Sequence, residues 1–190
     1  RAGLVGPNGA GKTTLVRMIL GQEPPTSGTI RLGPSVTVGY YAQEHETLDP
    51  EATPLETLRK LKPMTEQQAL SALVSMLFDR HDAMNRIGAL SGGERARLQI
   101  ALLILGGANL LVLDEPTNNL DIHSIRWLED VLNRRTSTMV IISHDRHFLS
   151  SVCTHMADVD YGEIRVYAGN YDDYMEASTL AKQQLQKDNA

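Results

Sequence analysis

Eight consecutive residues, Gly6-Pro7-Asn8-Gly9-Ala10-Gly11-Lys12-Thr13, constrain this chain more than any other feature. They fit the phosphate-loop pattern G-x-x-x-x-G-K-[ST] and stand between the expected tail of a buried strand, Arg1 to Val5, and a helix-forming stretch, Thr13 to Leu20. The glycines let backbone N–H groups turn toward an anion, and the helix N-terminus adds partial positive charge. Lys12 is placed to reach the β- and γ-phosphates of a nucleotide, and the Thr13 hydroxyl to ligate Mg²⁺. The complete pattern after a strand separates it from an ordinary glycine-rich turn. A loop of this kind belongs to an α/β fold, at the end of a buried strand.

The rest of the chain agrees with that class. Gly21 closes the first helix, and Glu23 to Gly28, with two prolines, reads as a loop. Thr29 to Leu32 and Val36 to Tyr41 are expected as short strands, with Val36, Val38 and Tyr40 on one face of the second. A helical middle follows. Thr53-Pro54-Leu55-Glu56 and Thr65-Glu66-Gln67-Gln68 have capping-box form, and Ala69, Leu70, Leu73 and Leu77 form one helical stripe. A third helix is expected from Ser91 to Leu105, stopped by Gly106-Gly107. Leu110 to Leu113 and Met139 to Ile142 lack polar alternation, as strands covered on both faces do. A helix around Ser124 to Leu132 lies between them, with Trp127 and Leu128 as packing residues. Ala157 to Val159 and Ile164 to Tyr167 read as a closing hairpin, and a polar helix begins near Ala177.

Two further groups carry chemistry. Asp114-Glu115 ends the Leu110 to Leu113 run, which places both carboxylates at the edge of a parallel sheet where ligands sit. Asp114 would hold Mg²⁺, and Glu115 would be the general base for an attacking water. Leu90-Ser91-Gly92-Gly93-Glu94 is also a capping box, from Ser91 to Glu94. Capping needs neither glycine, and each costs roughly 1 kcal/mol against alanine in a helix. Close approach of backbone N–H groups to a phosphate would repay that cost. One loop already cradles the phosphates of this chain's own nucleotide, so a second molecule or domain is implied.

Taken together, Gly6 to Thr13, Gln43, Leu90 to Glu94, Leu110 to Glu115, Asn119-Leu120-Asp121 and His144 resemble the ATP-binding-cassette (ABC) family in kind and order. The resemblance spans nearly the whole chain. It implies a P-loop NTPase cassette with a mainly parallel core sheet and a compact α-helical subdomain, about residues 44–105. The cassette would occupy 1–176, with 177–190 the start of a linker helix. It further implies ATP bound by Gly6, Pro7, Asn8, Gly9, Ala10, Gly11, Lys12, Thr13 and Thr14. Gln43 would sense Mg²⁺ and the attacking water, joining Thr13 and Asp114 around the metal. Ser91, Gly92, Gly93 and Glu94 would meet the nucleotide of a second cassette, Asp121 would lie at the seam between them, and His144 would hold the γ-phosphate. Within the family, Pro116 to Asp121, Ser143 to Leu149 and Tyr167-Ala168-Gly169-Asn170-Tyr171-x-x-Tyr174 resemble the ABC-F branch. Those are tandem-cassette proteins that act on the ribosome. Lys12 and Ser91 are 79 positions apart, which suits cassettes without an arm insertion. The chain starts at the strand before the phosphate loop, so the family's earlier strands and adenine-stacking aromatic are not among these residues.

Charge and composition narrow the partners. A net charge of −5 argues against direct polyanion binding by this domain, so contacts to a ribosome would come from elsewhere. The longest apolar stretch, Ile100 to Leu113, is interrupted by Gly106, Gly107 and Asn109 and is too short to cross a bilayer. The lone cysteine, Cys153, fits a reducing cytoplasm. His45, His81, His123, His147 and His155 have no metal-ligand spacing, and Glu44, Glu46, Asp49 and Glu51 read as a solvated loop. The alternative role is the ATP-binding subunit of a membrane transporter, whose pore would be a separate protein.

Overall fold

The computed structural model describes residues 1–42, 48–160 and 162–188. Five strands run parallel: β1 (Ala2–Val5), β2 (Val38–Tyr41), β3 (Leu110–Asp114), β4 (Thr138–Ile142) and β5 (His155–Asp160). The last strand, β6 (Glu163–Ala168), pairs antiparallel with β5. Among the described residues the order across the sheet is β2-β3-β4-β1-β5-β6. Both faces are covered, which is why the central strands are continuously apolar. On one face Leu110 and Val112 of β3 pack with Leu4 and Ile142 beneath Val16 of α1 (Lys12–Ile19). On the other, Leu111 and Leu113 meet α5 (Gly92–Leu105), α6 (Ile122–Asn133) and α7 (Arg146–Val152).

A small helical unit fills the chain between β2 and α5. It comprises α2 (Pro54–Leu61), α3 (Glu66–Ser75) and α4 (Arg80–Met84). Both capping boxes form: the Glu56 amide donates to Thr53 Oγ1 at 3.1 Å, and the Gln68 amide to Thr65 Oγ1 at 3.2 Å. Leu58, Ala69 and Leu73 are fully buried in the core shared with the sheet. Trp127 of α6 packs there too, and its indole N–H donates to the Ser75 carbonyl at 3.0 Å.

Three local details differ from the sequence reading. Leu77 is not on the stripe of α3, because the helix ends at Ser75 and Leu77 turns left-handed at φ 63°. Its amide and that of Phe78 return to the carbonyls of Val74 and Leu73, a Schellman closure without glycine, and the turn buries Phe78. Thr29 to Leu32 forms no strand, and Ile30 and Leu32 are exposed with no described neighbour strand to pair with. The last helix, α8 (Tyr171–Asp188), starts six positions before Ala177. Its first turns rest on the sheet, where the Tyr174 hydroxyl donates to Asp158 Oδ2 at 2.8 Å. The Tyr167 and Tyr171 rings meet Tyr174 edge-on at 5.2 and 5.8 Å.

Candidate active site

The turn between β1 and α1 folds as the phosphate-loop pattern requires. Gly6 has φ 144°, and a Cβ there would run into the Val159 carbonyl, so no other residue fits. Lys12 Nζ donates to the carbonyls of Gly6 at 2.7 Å and Pro7 at 3.0 Å, closing the loop on itself. Helix α1 starts from Gly11 with no side-chain cap, whereas Asp or Thr or Ser side chains cap α2 to α7. Its first amides are thus left for a ligand to satisfy. They face a cavity of 410 Å³ lined by Asn8, Gly9, Gly11, Lys12, Thr13, Thr14, Asp114, Glu115, Ile142 and His144. A larger cleft of 730 Å³ lies at the opposite ends of the strands, beside Leu110 and Thr138, and contains none of the motif residues.

The two carboxylates at the end of β3 have different surroundings. Asp114 is raised above the ordinary carboxylate range, chiefly by burial, against the opposing pull of a Tyr40 hydrogen bond and of Lys12. Burial and Asp114 in turn raise the Tyr40 hydroxyl, so the phenol stays protonated and donates. Glu115 adopts φ 51°, an uncommon conformation for a side-chain-bearing residue, and its amide donates to the Ile142 carbonyl at 2.8 Å. This turn brings the carboxylate to β4's end, where the His144 amide donates to Oε2 at 3.3 Å. His144 Nε2 lies 3.4 Å from Oε1. Glu115 is 9 % exposed, and burial pushes its pKa up while the His144 amide and imidazole oppose the shift. A raised carboxylate beside a nucleotide-sized cavity suits a general base.

The donor set also fits magnesium. The Thr13 hydroxyl and Asp114 carboxylate line one cavity, and both acids are raised chiefly by burial, which the single positive charge of Lys12 opposes without cancelling. A hard divalent cation with oxygen ligands would supply the missing charge. Gln43, the third expected ligand, lies outside the described residues.

The Ser91 to Glu94 segment and Asp121 line neither this cavity nor the 330 Å³ one that adjoins it at Lys12, Glu115 and His144. Ser91 Oγ accepts from the Glu94 amide at 3.2 Å, and Glu94 Oε2 accepts from the Ser91 amide at 2.7 Å. The box leaves the Gly92 and Gly93 amides, the first two helical positions, without partners inside the helix. Asp121 is itself an N-cap: its Oδ1 accepts from the Ser124 amide at 2.7 Å, which holds its pKa low.

Sequence reasoning passed over Tyr40, whose role depends on strand pairing, and α7, although Asp145 before Phe148, Leu149 and Val152 is a helix-start signal. Asp79, His81 and Asp82 come within 4.8 Å of one another, but they are largely exposed and Asp79 is committed to capping α4. The Cys153 thiol is buried and pushed up to about 11, which leaves it unreactive.

Comparison with known proteins agrees with the geometry. The family model described as ABC transporter matches residues 1–118. The probable ATP-binding protein YbiT of Escherichia coli O157:H7 is 41 % identical over an alignment of 229 residues, covering 100 % of this chain and 43 % of YbiT. The energy-dependent translational throttle protein EttA of Escherichia coli K12 is 43 % identical over 180 residues, covering 92 % of this chain and 32 % of EttA. The chain therefore spans well under half the length of these curated relatives. Among solved structures, the dimeric post-hydrolysis ATP-binding cassette MJ0796, bound to ADP and Pi, superposes with a TM-score of 0.69 at 23 % identity, covering 88 % of this chain and 84 % of that one. With the phosphate loop, the strand-end carboxylates and the Ser91 capping box in one fold, and a family model matched over more than half its residues, this chain belongs to the ATP-binding-cassette family and carries an ABC-F-like cassette.

Proposed function

We propose that this cassette binds Mg-ATP at Gly6 to Thr14 and hydrolyses it in a head-to-tail pair with a second cassette. The pair would act as an ABC-F translation factor on the ribosome, in the cytoplasm. The observation that carries the hydrolytic reading is Glu115, buried, raised in pKa and held at both oxygens by His144 on the rim of the phosphate-loop cavity. In this reading Lys12 and the amides at the start of α1 hold the phosphates. Thr13, Asp114 and Gln43 would hold a magnesium ion, which would supply charge neutralisation for the phosphates. Glu115 takes the proton of a water that attacks the γ-phosphorus, and the bond to the β-phosphate oxygen breaks to release ADP. His144 keeps the carboxylate aimed and contacts the γ-phosphate.

Pairing is supported by the Gly92 and Gly93 amides, which stand in the first turn of α5, where no partner inside the helix is available, and lie off the chain's own cavity. Asp121 would sit at the seam. Residues 1–176 form the cassette in this reading, and the segment that starts at 177 begins a linker helix. The translational role draws on the likeness to EttA. No helix among the described residues is long and apolar enough to cross a membrane.

Ribosome co-sedimentation of the full chain carrying Glu115→Gln tests this reading. ATP-dependent retention at moderate salt is the expected result. Recovery with membranes alongside an integral partner, and none with ribosomes, would replace the translational role by that of a transporter's ATP-binding subunit.

A further inference from the structure

The two elements assigned above to the partner cassette touch each other inside this one chain. Gly93 lies against the Asn119 backbone: a Cβ there would sit 2.7 Å from the Asn119 carbonyl oxygen, while one at Gly92 would meet nothing within 4 Å. One turn along the same face of α5, Arg97 is 8 % exposed. Its Nη1 donates to the Ser124 hydroxyl at 2.9 Å, and its guanidinium lies 4.9 Å from the centre of the Phe78 ring. Ser124 is also the residue whose amide Asp121 caps. The stretch from Asn119 to Ser124 is therefore gripped at both ends by α5. A buried arginine is a costly way to fill space, and its Nε has no hydrogen-bond partner. Packing alone would be served better by methionine or leucine.

We propose that Arg97 is a positioning residue that, with Gly93, locks the Ser91–Gly93 turn and the Asn119–Asp121 segment into one rigid body. Arg97 touches no nucleotide in this arrangement. Its hydrogen bond fixes where Asp121 stands relative to the Gly92 and Gly93 amides. The consequence for a partner cassette rests on the pairing reading, whereas the lock is a property of the single chain. An approaching partner would meet both elements at a preset spacing rather than ordering each separately.

Amide hydrogen exchange on the full chain tests the lock without requiring pairing. Arg97→Met is expected to speed exchange across residues 118–124 by about tenfold, roughly the worth of one charged hydrogen bond, and Gly93→Ala, whose methyl would push on the Asn119 carbonyl, should speed it in the same segment. Amides of β3 and β4 should keep their protection. Arg97→Lys, which keeps a charged donor on the same stem, should recover part of the loss, a rescue that space-filling alone would not give. Unchanged exchange at 118–124 in Arg97→Met with β3 and β4 still protected overturns the proposal. If Arg97→Met does not fold, Ser124→Ala removes the same bond from the other side and decides by the same readout. Sedimentation with ATP separates the two ideas. Association of Glu115→Gln chains that Arg97→Met weakens by tenfold or more extends the lock to pairing. Exchange coupling without association in any variant would leave the lock standing and remove pairing between copies of this chain.

Discussion

His144 holds both oxygens of Glu115, its amide donating to Oε2 at 3.3 Å and its imidazole Nε2 lying 3.4 Å from Oε1. The two residues end neighbouring strands and are 29 positions apart, so the pair exists only once β3 and β4 align. A carboxylate held at two points has little freedom to swing away from its target.

Glu115→Gln keeps the shape of that arrangement and removes the base. We expect nucleotide binding to be retained and hydrolysis to fall roughly 10²–10⁴-fold, the usual worth of a positioned general base. Fluorescent-nucleotide titration and phosphate release measure the two separately. Near-normal release would take Glu115 out of its assigned role.

The raised pKa of Glu115 has a direction in pH. Only the ionised form accepts a proton, so kcat/KM falls as pH drops through a value above the usual 4.5. His144 opposes the shift, so His144→Ala should move the acid limb further toward neutral pH. A pH profile of kcat/KM for both proteins checks this, and an acid limb shifted downward in His144→Ala would contradict it.

Gly6→Ala forces a side chain onto φ 144° and into the Val159 carbonyl. Strain of this kind costs on the order of 1–3 kcal/mol before any overlap is counted. Urea unfolding should show a loss at least that large, with nucleotide binding lost as the loop moves off β5. A midpoint equal to that of the parent chain would show the turn to be softer than its contacts indicate.

Thr53→Ala removes the hydroxyl that holds the Glu56 amide, and with it one half of a capping box. About 1 kcal/mol of stability should go, with turnover unchanged because α2 lies away from the cavity. Chemical denaturation and a hydrolysis assay on the same sample distinguish this from Gly6→Ala, where both properties fail together.

Much of this architecture was legible because it is written in short windows. The phosphate loop, the capping boxes at Thr53, Thr65 and Ser91, and the apolar β3 run ending in Asp114-Glu115 each need only neighbours in the chain. What escaped depends on distant partners. Leu77 fits the α3 stripe by spacing, yet burial of Phe78 turns it left-handed. Thr29 to Leu32 has strand composition without a described strand beside it. The need for glycine at Gly93 was read as room for a phosphate. Gly92 does have that room, whereas Gly93 is already confined by Asn119, 26 positions away. Tyr40 and Arg97 were silent for the same reason, since the groups they hold arrive from other elements.

The seating of α8 has a mechanical corollary. Tyr174 ties the root of this helix to Asp158 on β5, and the Arg146 guanidinium, two residues from His144, lies 5.9 Å from the Tyr171 ring centre. Eighteen residues of helix reach about 27 Å, so each degree of tilt at the root carries the far end about 0.5 Å. Small adjustments beside the nucleotide cavity thus have a lever arm already attached, and its fulcrum is a cluster of three tyrosines.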